Sequence, residues 1–232
     1  MTYILFVMLP TMGLAMLASF LTKSTFSKYS KIRSRKGYTG AEAARIMLER
    51  NGVYDCRIES TAGSLTDHYD PRCKTLRLSQ DVYGSTSLAA IGVACHEAGH
   101  ALQHANSYAF LNFRSNLVPL VTLTSNLSSV VLMIGLVLQF LSNSPTILLV
   151  GCAMLAVSVL FAVITLPVEW DASARAKTAM VTAGIVSPQE SDHAGKVLNA
   201  AFLTYLASAV GSIITLLYYL WRAGLIGGRN DD

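Results

Sequence analysis

Charge is what this chain of 232 residues has least of. Asp, Glu, Lys and Arg make up 14% of it, against roughly a quarter in soluble domains. With half of its residues apolar, that scarcity places the chain among membrane proteins rather than soluble globular ones. Cysteine is sparse too. Cys56, Cys73, Cys95 and Cys152 are scattered, no Cys-x-x-Cys pair occurs, and Cys152 lies inside an apolar run. A disulfide framework is therefore excluded, and all four read as reduced and structural. Basic residues are not interleaved with stacking aromatics, which excludes a nucleic-acid platform. A signal peptide would want positive charge before the first apolar run and a small-residue cleavage site after it; here the charge follows the run instead.

Long apolar runs are what is there. Residues 3–22 carry no charge and are about long enough to span a bilayer. Lys23, Lys28, Lys31, Arg33, Arg35 and Lys36 follow at once. By the positive-inside rule the N-terminus lies outside and residue 23 onward lies in the cytoplasm. Residues 117–141 and 145–168 form a second and third span, joined by an uncharged turn and hence antiparallel. Residues 199–221 form a fourth. Ser125, Asn126, Ser128 and Ser129 in the second span read as inter-helix hydrogen-bonding groups. The expected organisation is a span over 1–22, a cytoplasmic part over 23–115, a hairpin over 116–168, a cytoplasmic helix over 169–198, a span over 199–221 and a tail over 222–232. Basic residues number 13 in 23–115 and 3 in 169–198, against 2 in the tail, in agreement with an inside location for both polar segments.

Within the first polar segment, residues 37–52 read as a helix opened by a Thr39/Glu42 capping box and stopped at Asn51-Gly52, with Ala43, Ile46, Met47 and Arg50 on one face. Val53–Ile58 and Lys74–Ser79 read as strands, with 60–73 as loop. Residues 86–105 form a helix carrying Ala94-Cys95-His96-Glu97-Ala98-Gly99-His100-Ala101. Two histidines four apart project from one helical face and can grip one metal ion. A hydrolytic zinc site keeps three protein ligands and an open position for water. Glu97, adjacent to His96, is placed as general base rather than as third ligand. A polar helix with two solvated histidines is the bland alternative.

The third ligand must lie on the same side of the membrane, which confines it to 169–198. Glu169, Asp171, Glu190, Asp192 and His193 are the candidates. Glu169 is preferred, because it opens a helical run where the third span emerges. His104 is about 12 Å along the axis from His96, too far to share one ion, and reads as a flanking group. His68 and His193 are candidates for stabilising an oxyanion, or simply loop histidines with structural bonds. An open edge at Lys74, Leu76 and Leu78 would pair with an extended substrate by strand addition.

Leu65-Thr66-Asp67-His68-Tyr69-Asp70-Pro71, Leu76-Arg77-Leu78-Ser79, His-Glu-Ala-Gly-His and Leu166-Pro167-Val168-Glu169-Trp170-Asp171-Ala172-Ser173 together resemble the YugP-type neutral zinc metallopeptidases of bacterial membranes. The resemblance covers most of the chain. More distantly the chain is similar to membrane peptidases of the HtpX and CAAX-prenyl type. The resemblance implies a gluzincin with His96, His100 and Glu169 on one zinc and Glu97 as base. Ser173 stands where the distant relatives' Glu-x-x-x-Asp pattern has its aspartate, so Asp171 or another residue would have to orient a ligand.

The expectation is a mainly α membrane protein with about four transmembrane helices and a small α+β zincin-like cytoplasmic domain. It would act as a zinc endopeptidase in the cell membrane, on extended protein or peptide segments near the cytoplasmic face. One rival is an intramembrane site-2-type protease, which would need a Leu-Asp-Gly motif that the sequence lacks. The other is a non-enzymatic scaffold or transporter with a closed structural zinc site.

Overall fold

Apolar runs this long must satisfy their backbone internally once they are in lipid, and helices do so. The computed structural model of the protein describes residues 2–227. Of the expected tail at 222–232, residues 228–232 lie outside the described residues. A π-helical turn, Ile4–Met8, runs into α1, Leu9–Tyr29. Then follow α2 (Gly40–Arg50), β1 (Arg57–Thr61), β2 (His68–Asp70), β3 (Thr75–Ser79), the short α3 (Gln80–Tyr83) and α4 (Leu88–Ala105). Three long helices close the chain: α5 (Ala109–Ser142), α6 (Thr146–Thr182) and α7 (Pro188–Arg222). These three, and the helix spanning Ile4–Tyr29, are long and apolar enough to cross a membrane.

The long helices overrun the expected spans. At 37 residues, α6 is about 55 Å long, against about 30 Å of hydrocarbon. The apolar run 145–168 and the polar run from Glu169 are thus one helix, not a span followed by a separate element. Hydropathy marks where side chains change character, not where backbone hydrogen bonds stop.

The chain divides into two units. One takes residues up to Leu17, Phe113–Leu166 and Tyr205 onward. Its small core gathers Leu132, Leu148, Cys152 and Ala223. Ser125 Oγ lies 3.0 Å from Ser158 Oγ, linking α5 to α6. Many of its large apolar side chains face outward, Phe140 being 87% exposed. A contiguous apolar surface of this kind suits lipid and not water.

The other unit takes Ala18–Asn112 and Pro167–Thr204. Its core joins Ala43, Met47, Leu48, Leu76, Leu78, Ile91, Ala98, Met180 and Ile185. Thr39 and Glu42 form the expected capping box at the start of α2. Arg50, expected on the packing face, is exposed. The sheet order is β1-β3-β2, with β1 parallel and β2 antiparallel to β3.

Three strand expectations are corrected. The first strand runs over Arg57–Thr61 rather than Val53–Ile58, in register with Thr75–Ser79. The segment 60–73, expected as loop, contains β2. The third strand is central, not an open edge. Leu76 and Leu78 are fully buried, while Lys74 precedes the strand with φ 49° and pairs with Asp55 at 2.5 Å. β1 flanks β3 along its whole length and β2 flanks it over Thr75–Arg77, so the strand expected as an open edge at Lys74, Leu76 and Leu78 is an inner one. Alternation reports which side chains are buried and says nothing of how many neighbours a strand has.

A Cβ at Gly135 would stand 2.6 Å from Leu148 Cα, so α5 and α6 approach as only a glycine allows. Gly135→Val is expected to lower the apparent melting temperature of the detergent-solubilised protein, at a cost of about 1–3 kcal/mol. Gly13→Ala, whose Cβ meets nothing within 4 Å, should leave it unchanged or raised. Equal melting of all three chains would show that this approach contributes nothing.

Candidate metal centre

Ser87 starts the helix that carries the histidines, its hydroxyl accepting the Ala90 N–H at 3.2 Å. Four residues apart on α4, His96 and His100 face the same way, with ring centroids 4.8 Å apart and planes at 81°. The opposing element is α6. A Cβ at position 99 would stand 2.6 Å from the Ala172 carbonyl oxygen. The glycine inside the motif is thus what lets the two helix backbones close, and it brings Glu169 to the histidines.

Glu169 is 2% exposed. Its Oε2 lies 3.2 Å from His96 Nε2 and 3.5 Å from His100 Nε2. One ligand atom from each of the three residues lies within 4.8 Å of the others. Two donors bound tetrahedrally at about 2.0–2.1 Å from one zinc ion sit about 3.4 Å apart, so the observed spacings fit a shared ion. Two imidazoles and a carboxylate are also a donor set that suits zinc, and three protein ligands leave a position open. Burial disfavours protonated His100, but the hydrogen bond and charge of Glu169 outweigh it and hold the His100 pKa above its ordinary value.

Each ring's other nitrogen is occupied. His96 Nδ1 lies 3.1 Å from Ser173 Oγ, and His100 Nδ1 lies 3.0 Å from Gln103 Oε1. Ser173 itself therefore reaches the first histidine. Asp171 meets neither ring directly: its Oδ2 accepts from Gln103 Nε2 at 2.8 Å and from Arg175 Nε at 2.6 Å. Gln103 was not among the residues singled out from sequence. Its position three after His100 is the one signal that could have found it. Glu97 is 9% exposed, on the same helix as both histidines.

The remaining candidates are placed elsewhere. His104 Nδ1 lies 2.8 Å from the Tyr69 hydroxyl, whose pKa burial pushes up. His68 is exposed on β2, its Nδ1 bonded to the Thr66 carbonyl at 2.8 Å. His193 lies against the Tyr29 ring, centroids 5.3 Å apart. Glu190 accepts the backbone N–H groups of Arg35 and Ser187, which makes it a cap at the start of α7. Asp192 is exposed. None of these five belongs to the cluster of metal-ligating groups found among the described residues.

A family model described as "Putative neutral zinc metallopeptidase" matches residues 3–224. A curated relative, "Putative membrane protease YugP" of Bacillus subtilis (strain 168), is 42% identical over 228 residues, covering 98% of this chain and 99% of the relative. No solved structure matches.

If the three groups share an ion, Glu169→Ala should strip it. Gly99→Val, which pushes α4 away from α6, should do the same. Metal per purified chain, by inductively coupled plasma mass spectrometry, is expected near one for the parent and near zero for both variants. Full metal content after Glu169→Ala would remove Glu169 from the centre.

Proposed function

The chain belongs to the neutral zinc metallopeptidase family whose model it matches over residues 3–224, and from that premise we propose that it is a membrane-anchored zinc endopeptidase working at the cytoplasmic face. The observation that carries this reading is the convergence of His96 Nε2, His100 Nε2 and Glu169 Oε2 within 4.8 Å, with Glu97 on the same helix. These three residues hold one zinc. When bound, that ion acidifies a water and polarises the scissile carbonyl. Glu97 takes the proton of the attacking water and passes it to the leaving amine. Ser173 and Gln103 hold the imidazoles in place.

The substrate is an extended or unfolded protein segment near the membrane. Glu169 follows directly on the apolar run 145–168 of α6, which favours a site close to the bilayer. With β3 enclosed, strand addition would have to use the outer edge of β1 or β2. The basic excess in 23–115 favours a cytoplasmic location for both polar segments and an outside N-terminus.

Two experiments test this. Glu97→Gln keeps the metal ligands and removes the base. It should retain about one zinc per chain and lose peptidase activity by roughly 10²–10⁴-fold. Unimpaired cleavage of an unfolded peptide pool by this variant would remove Glu97 from catalysis. For orientation, single cysteines at the exposed positions Ser60, Ser144, Asp192 and Leu225 in a cysteine-free background can be labelled in intact cells with an impermeant maleimide. Positions 144 and 225 should react, and 60 and 192 should not. Labelling of only one of 60 and 192 would contradict the centre, since ligands on opposite membrane faces cannot share an ion.

A further inference from the structure

Gln103 is fully buried, yet its side chain is polar, and such a group costs free energy unless every hydrogen-bonding atom is satisfied. It is satisfied in one orientation only. The amide nitrogen lies 2.8 Å from the Val168 carbonyl oxygen and 2.8 Å from Asp171 Oδ2. A carbonyl and a carboxylate only accept, so this atom is the NH2 group and both its hydrogens are used. Turning the amide over would set its oxygen against two acceptors. Oε1 therefore faces His100 Nδ1, at 3.0 Å. An amide oxygen cannot donate, so Nδ1 must carry the hydrogen. In the neutral ring that binds a metal, His100 Nε2 is then the nitrogen left with a lone pair, and it is the one turned toward Glu169 Oε2.

We infer that Gln103 is a positioning residue that sets the tautomer and ring plane of His100, and that Asp171, held by Arg175, sets the orientation of Gln103. The chain of contacts runs Arg175 to Asp171 to Gln103 to His100. It is built almost wholly from groups that can bond in one sense. The amide is neutral, so it orients the imidazole without adding a second buried negative charge beside Glu169. The same side chain ties α4 to α6 through Val168, so the ring is set relative to the helix that supplies the carboxylate. This inference rests on the metal-centre reading above.

Chelator competition on the full chain in detergent measures zinc affinity, and the visible bands of the cobalt(II)-loaded protein report ligand geometry. Gln103→Leu keeps the volume and removes the acceptor. Its zinc affinity is expected to fall about 10–100-fold, with altered cobalt bands. Gln103→Glu keeps the acceptor for His100 but sets its second oxygen against Val168 and Asp171, so it should also bind weakly. Adding Asp171→Asn supplies an amide that can donate to that oxygen and relieves one of the two opposed acceptors, so part of the affinity should return. A packing role alone would not produce this rescue. If Gln103→Leu destabilises the zinc-free chain, the Glu and Glu/Asn comparison decides. Parent-like affinity and cobalt bands in Gln103→Leu would overturn the inference, as would Gln103→Glu binding no more weakly than Gln103→Glu/Asp171→Asn. A parent chain that binds no more zinc than His96→Ala would fail differently, since it would remove the metal centre itself.

Discussion

A carboxylate buried to 2% exposure is the constraint on which this structure turns. Moving such a charge out of water costs several kcal/mol unless it is paired and hydrogen-bonded. Glu169 meets that cost with two imidazole nitrogens at 3.2 and 3.5 Å, and a shared cation would meet it more fully. The pairing demands that two helices from distant parts of the chain lie backbone to backbone, and Gly99 against the Ala172 carbonyl is how they do so. A side chain at that point would widen the gap and draw the carboxylate away from the two imidazoles. The glycine and the glutamate are thus one requirement expressed on two helices.

The helix that supplies Glu169 is continuous from Thr146 to Thr182. A ligand on a long helix is held with less positional spread than one on a loop. Here the apolar residues that favour lipid and Glu169 follow one another on one helix. The oxygen's place is therefore set by helix packing and not by a flexible linker. The two histidines proposed as the other ligands sit mid-helix on α4 with their second nitrogens occupied, so none of the three proposed ligands lies on a loop.

How much of this could be read beforehand depends on the range of the interaction concerned. His96 and His100 announce themselves because one helical turn brings residues four apart together, whatever the rest of the chain does. Thr39 and Glu42 are legible for the same local reason. Apolar run length located all four long helices. It misplaced their ends, because a helix continues past the point where its side chains turn polar. Glu169 was reachable because the expected topology left a single downstream segment on the side assigned to the two histidines. Gln103 was not, since its role exists only once α4 lies on α6. The sheet failed in the same way. Leu76 and Leu78 alternate as a strand should, but the flanking β1 and β2 come from long-range pairing that alternation does not encode.

Ser173 can now be weighed physically. The pattern of the distant relatives would place an aspartate there, and a carboxylate on His96 Nδ1 would make that imidazole a stronger electron donor. A hydroxyl oxygen at 3.1 Å orients the ring but transfers little charge. Gln103 does the same for His100 with a neutral amide. Of the carboxylates close by, Asp171 is compensated by Arg175 at 2.6 Å, and Glu169 is the one in contact with both imidazoles. A centre whose two imidazoles are both held by neutral groups leaves a bound cation less neutralised than one backed by aspartates. Under the proposed reaction that favours acidification of water and polarisation of a carbonyl over tight retention of the ion. The serine at 173 and the glutamine at 103 are, on this argument, matched: each fixes direction without adding charge, and an aspartate in place of the serine would shift the balance toward retention.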